Sequence, residues 1–251
     1  MTVGEEATST DYIMFSRRLE IPEHALSRDT EHRAGDTTRL VIAFPVLESP
    51  PPQSIYAFLP VCPSAFSFAI CADWSLTSSR QAVHSDSPLN LWLRDEVAIT
   101  FGEAVTAVPA IREHVGRYIP VDQGTSSQLS FWAPIAAQLR TVLRDRACIK
   151  TEGGNWRRPE DVLIRVPECT AELISNDSLA AHCGKEFVSA AQLRSIGIEK
   201  ALGLGCRKFE LGDLLQCLRA EEFVATLAAA PNSYYDDLYQ YLHATVGMEE
   251  S

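Results

Sequence analysis

The chain has 251 residues, 46% hydrophobic and 22% charged, enough apolar material for one large soluble domain or two small ones. Its net charge of −11 argues against nucleic-acid or anionic-membrane partners, which need a basic face. The acidic start "MTVGEEATSTDY" has no apolar segment of signal-peptide type, and no apolar run approaches the roughly 20 residues that span a bilayer.

Residues 1–11 are polar and are expected to be disordered. "YIMFSRRLEIP" (Tyr12–Pro22) alternates partly and reads as a strand, and "EHALSRDTEHRAGDTT" as a charged connector. "RLVIAFPVL" (Arg39–Leu47) is a second strand, followed by a proline-rich turn, "ESPPPQS". "SIYAFLPV" and "FSFAICADWSL" read as third and fourth strands, so an antiparallel meander is expected. The period then changes. Leu89, Leu93, Val97, Phe101, Ala104 and Val108 form one helical stripe, with Ser87 as N-cap and Pro88 at the first helical position. Leu93, Val97 and Phe101 should pack with Ile42, Phe58 and Ile70. After a loop, "GTSSQ", Ser127 is placed to cap a second helix carrying Leu129, Trp132, Ala136, Leu139 and Leu143 inward.

Beyond "EGGNWRRPE" comes a short strand, "DVLIRVP" (Asp161–Pro167), and then helices in short pieces with glycines at their ends. The predicted organisation is an α+β domain over 12–150, mainly an antiparallel sheet with packed helices, and a small helical domain over 151–251 behind a connecting strand. "SIGIEKALGLGCRKFELGDLLQCL" has the outline of a helix-turn-helix, but the acidic balance favours a bundle of Ile198, Leu202, Leu204, Phe209, Leu211, Leu214, Leu215 and Leu218. The four tyrosines of "YYDDLYQYLHATV" suggest a packed aromatic face or a partner-binding helix.

Much familiar chemistry is absent. There is no phosphate-binding G-x-x-x-x-G-K-[ST] loop, no G-x-G-x-x-G, no G-x-S-x-G elbow and no H-E-x-x-H. The seven cysteines lack zinc-type spacing, and their odd number suggests buried, reduced thiols in the cytosol or nucleus. His84-Ser85-Asp86 lies in one turn and cannot form a triad unaided, and Cys183 beside His182 reads as structural.

One stretch stands out: "SIYAFLPVCPSAFSFAICADWSLTSSRQAVHSDSPLNLWLRDEV". Its Phe58-Leu59-Pro60, Asp73, Ser78-Ser79-Arg80, Asn90 and Trp92-Leu93 resemble the pattern of sacsin-like and NO VEIN-like proteins of the Hsp90-like ATPase superfamily, in the segment after the ATP-binding domain. Leu89 departs from a frequent tryptophan. "RLEIP", "TTRLVIAFPV" and "GGNWRRPEDVLIRVPE" extend the likeness more weakly. The resemblance implies a ribosomal-protein-S5-like transducer arrangement in which Arg80, preceded by Ser78 and Ser79, reaches the γ-phosphate of a nucleotide on another domain. An arginine offers a fork of charge-assisted donors suited to phosphate oxygens.

The elements of the ATP-binding half are not recognisable, so the chain is expected to bind no cofactor and to hydrolyse no ATP by itself. Its expected partner is a protein: an ATP-binding domain in cis or in trans, or a client. Three alternatives stand beside this. Arg80 pairs with Asp86, Asp95 or Glu96 and is structural. The chain is an acidic interaction scaffold with no nucleotide link. It is a thiol or serine enzyme whose residues meet only in the fold.

Overall fold

The computed structural model describes residues 10–26, 35–120, 131–167, 173–227 and 230–246. The expected disordered start (residues 1–9 of it), half of the charged connector (27–34), the "GTSSQ" loop with its Ser127 cap, Leu129 and Cys169 lie outside the described residues. The fold is α+β, with a mostly antiparallel sheet, packed helices and a largely helical C-terminal region. Internal contacts divide the chain between Val142 and Leu143 into two units.

In the first unit the alternation of "YIMFSRRLE" gives a two-faced strand, β1 (Tyr12–Glu20). It pairs antiparallel along its whole length with β2 (Thr37–Pro45). Leu40, Ile42 and Phe44 of β2 are fully buried on the inner face, while Val41 and Ala43 look outward. The next strands are β3 (Ser54–Ala57), β4 (Leu59–Pro63) and β5 (Ala69–Cys71). The sheet order is β1-β2-β5-β3-β4, with β3 and β5 parallel and the other pairs antiparallel.

Two expectations fail here. The sheet is not a simple meander, because β5 inserts between β2 and β3. "SIYAFLPV" is not one strand but a tight hairpin, with Ala57 opposite Leu59 and Phe58 at the reversal. Phe58 is therefore 93% exposed rather than buried, and Ile55 takes the inner position instead.

The helical stripe is as expected from Leu89 to Ala104, while Val108 falls just past the helix as an extended, half-buried C-cap. Helix α1 (Pro88–Ala107) buries Leu93, Val97 and Phe101. Phe44, Phe68, Phe101 and Tyr118 form an aromatic cluster with centroids 5.0–5.9 Å apart, and the Tyr118 hydroxyl donates to the Pro45 carbonyl at 2.9 Å. Arg17 crosses from β1 to α1, 2.9 Å from Glu96 and 3.0 Å from Glu103. A short helix, α2 (Pro109–Glu113), follows, and then α3 (Ala133–Arg144). Pro134 sits in the first turn of α3, where its missing N–H has no helical partner to lose. Trp132 packs edge-on against Trp74 at 5.2 Å, and Leu139 is buried. Ala136 is only half-buried.

The second unit contains more strand than its sequence suggests. A small hairpin joins β6 (Ile149–Lys150) to β7 (Trp156–Arg157). The fully buried β8 (Val162–Ile164) follows, then α4 (Asn176–Cys183), β9 (Glu186–Phe187), α5 (Ala190–Ile196), α6 (Ile198–Leu204) and β10 (Arg207–Lys208). Strands β10, β8 and β9 make a small parallel sheet. Helices α7 (Leu211–Leu218), α8 (Glu221–Leu227) and α9 (Asn232–Val246) complete the chain.

Strand β10 separates α6 from α7, so the helix-turn-helix outline does not form. Ile198 and Leu215, expected inside a bundle, are 48% and 43% exposed. The tyrosines of α9 divide by face: Tyr234 and Tyr241 are buried, Tyr235 and Tyr239 exposed.

Candidate functional site

Strand β5 stops at Cys71, earlier than expected, so Asp73 is not in a strand. Asp73 is exposed and accepts a hydrogen bond from Thr38 Oγ1 at 2.7 Å. Trp74 turns inward and anchors the chain. From there the backbone rises into a narrow loop closed by a single bridge between Leu76 and Val83. Thr77 N donates to Ala82 O at 3.0 Å, and Arg80 N to Thr77 O at 2.8 Å. Thr77 Oγ1 donates to Ala82 O at 3.2 Å, and Ser79 Oγ lies 3.2 Å from Thr77 Oγ1. The loop is thus braced from inside, with Ser78, Ser79 and Arg80 exposed at its tip.

The residue that fixes this loop to the fold is Asn90, fully buried in the first turn of α1. Its Oδ1 accepts from Ser75 N at 2.8 Å, and its Nδ2 donates to Ser75 O and His84 O, both at 2.8 Å. One amide side chain therefore holds both stems of the loop. Ser87 occupies the N-cap position, as expected, but its side chain makes no capping bond. The sequence marked Asn90 only as part of the resembling pattern, and its role as a brace emerges in the fold.

Arg80 has a left-handed backbone, φ +57. Among the described residues it and Phe58 (φ +67) are the two non-glycine residues with positive φ. Such a conformation costs a residue with a Cβ on the order of 1 kcal/mol. The carboxylates considered as partners are engaged elsewhere or stand apart. Asp95 binds Arg94 and Gln138, and Glu96 binds Arg17. Among the described residues Arg80 makes no ion pair, with Asp86 or any other acid.

Two further features were not read from the sequence. The outer face of the sheet carries an open apolar groove of about 320 Å³, lined by Tyr12, Met14, Val41, Tyr56, Phe58 and Cys71 among others. Met14 and Leu59 are also strongly exposed, at 68% and 63%. In the second unit a buried carboxylate, Glu186, is satisfied by three side chains. Thr151 Oγ1 donates to it at 2.5 Å, Arg157 Nε at 2.7 Å and Asn155 Nδ2 at 3.1 Å. Burial pushes the Glu186 pKa up, but the hydrogen bonds and the Arg157 charge outweigh it and hold the pKa below its ordinary value. A Cβ on Gly153 would meet Glu186 Oε2 at 3.0 Å and Asn176 Nδ2 at 2.9 Å, so a larger residue in the "EGGNW" turn would push on the side chains around this carboxylate.

Among the described residues no group of three His, Cys, Asp or Glu side chains is placed to hold a metal ion, and no helix is long and apolar enough to cross a membrane. No family model and no solved structure matches the chain. Among curated proteins it is similar to Protein NO VEIN of Arabidopsis thaliana, 27% identical over 161 residues. The similar region covers 61% of this chain and only 6% of that protein, so the chain spans a small fraction of its relative's length.

Proposed function

We propose that the first unit is a non-catalytic transducer module of a NO VEIN-type, Hsp90-like ATPase system. In this reading Arg80 is offered to the γ-phosphate of a nucleotide held on an ATP-binding domain, in cis or in trans, with Ser78 and Ser79 beside it. The observation that carries the reading is the loop tip: an exposed arginine that among the described residues makes no ion pair, on a left-handed backbone in a loop whose stems are tied by Asn90. A structural arginine would be expected to find a carboxylate, and a solvated one needs no such bracing. Left-handed non-glycine residues that persist against their cost cluster at functional sites.

The test is ATP turnover by a NO VEIN-type chain containing both an Hsp90-like ATP-binding domain and this segment, wild type against Arg80→Ala. Loss of a charge-stabilising donor should lower turnover on the order of 100-fold. The melting temperature should be unchanged. Equal turnover in the two proteins would remove the transducer reading. By itself this chain should show no heat of ATP binding in a calorimetric titration.

A second reading, an interaction scaffold with no nucleotide link, is favoured by the exposed apolar groove beside Phe58. Exposed apolar surface of this kind is suited to contact with another protein or an apolar ligand. It predicts that Phe58→Ser abolishes capture of a partner while Arg80→Ala does not.

A further inference from the structure

We propose that Cys183 and Cys217 of the second unit are a redox-responsive pair that closes to a disulfide under peroxide, stapling α4 to α7. Cys183 is the last residue of α4, and Cys217 lies one turn beyond Asp213 on α7. Their sulfurs are 3.0 Å apart, closer than two unbonded sulfurs normally rest. The Cys183 thiol sits in a notch of α7, with the Asp213 carbonyl 3.5 Å away as a second neighbour.

The notch is fixed by its surroundings. His182 packs edge-on against Phe223 at 5.6 Å, and Asp213 is held by Arg207 and by the Glu210 backbone N–H. From 3.0 Å the two sulfurs need to approach by only about 1 Å to reach bonding distance.

The two thiols differ in access, which sets the order of events. Cys183 is half-buried and meets the oxidant first, while Cys217 is fully buried. The Cys183 thiolate attacks one peroxide oxygen, the O–O bond breaks, and a sulfenic acid and water result. The Cys217 sulfur then attacks the sulfenic sulfur. The S–S bond forms as the S–O bond breaks, and hydroxide leaves as water with the Cys217 proton. Two thiols lose two electrons in all, and one hydrogen peroxide is reduced to two waters. Burial and the neighbouring thiol raise the Cys217 pKa, so the second step should quicken as pH rises. Cys148 and Cys206, by contrast, are both buried and present no first thiol to a reagent.

The test treats the full chain with hydrogen peroxide, alkylates the remaining thiols under denaturing conditions and maps the peptides. The expected result is loss of two alkylatable thiols, a Cys183–Cys217 linked peptide that disappears with reductant, and a reversible rise in melting temperature on the order of 10 °C. Cys183→Ser replaces the half-exposed partner and should keep its fold, yet lose both the linked peptide and the temperature gain. Cys169→Ser and the Cys62→Ser/Cys71→Ser double variant should retain both. Cys217 left fully alkylatable, or Cys183 found as a sulfinic acid or joined to another cysteine, would overturn the proposal.

Discussion

At the scale of single residues, two buried polar side chains hold parts of this fold that apolar packing does not reach. Asn90 satisfies three backbone groups with one amide. Asn90→Ala should cost about 2 kcal/mol, because it leaves those groups without partners in a part-buried site. A urea unfolding curve for the variant checks this, and an unchanged midpoint would show that water replaces the amide. Glu186 gives a pH signature. Its folded pKa lies below its ordinary value of 4.5. Its contribution is thus fully present above that value and is lost as pH falls through the folded pKa. Below about pH 5 the wild type should lose urea stability more steeply than Glu186→Gln. Parallel pH curves would mean the carboxylate is solvated.

At the scale of elements, the two left-handed residues invite a paired test. Glycine adopts positive φ without penalty. Phe58→Gly should therefore hold or raise stability by about 1 kcal/mol, since Phe58 is almost wholly exposed and gives up no packing. Arg80→Gly should likewise stabilise this chain while failing in any turnover assay that depends on the guanidinium. Thermal unfolding of both variants decides the first part, and a marked loss of stability in either would contradict the geometry. The same positions show what the sequence could and could not reveal. The α1 stripe was legible because Leu93, Val97 and Phe101 repeat at helical spacing over a long element. The β3–β4 hairpin was not, because "SIYAFLPV" is continuously apolar and its reversal at Phe58 carries no glycine or asparagine. Strands β9 and β10 were missed because a two-residue strand has no period to detect. The turn at Ser78-Ser79-Arg80 was legible from its place between an apolar strand and a capped helix, and its role came from the resemblance. Its brace through Asn90 was not read from the sequence, since an asparagine that pairs with backbone looks like any other polar residue on a helix.

At the scale of the molecule, the contacts divide at Val142/Leu143, and each unit has its own buried centre. The first contains Trp74, Trp92 and Trp132, and the second contains Trp156. In Trp156→Phe, fluorescence reports the first unit alone while far-UV circular dichroism reports both. The two urea transitions should not superimpose, and a single shared midpoint would show the units unfolding as one. The first unit also separates two costs that most proteins must meet together. The Leu76–Val83 bridge and the Asn90 amide close the loop below its tip, so Ser78, Ser79 and Arg80 contribute almost nothing to the sheet or to α1. Those three positions behave as a replaceable cassette. A lineage could re-address the tip to a different partner by point changes there, with the effect on stability held to about 1 kcal/mol by the left-handed backbone at Arg80.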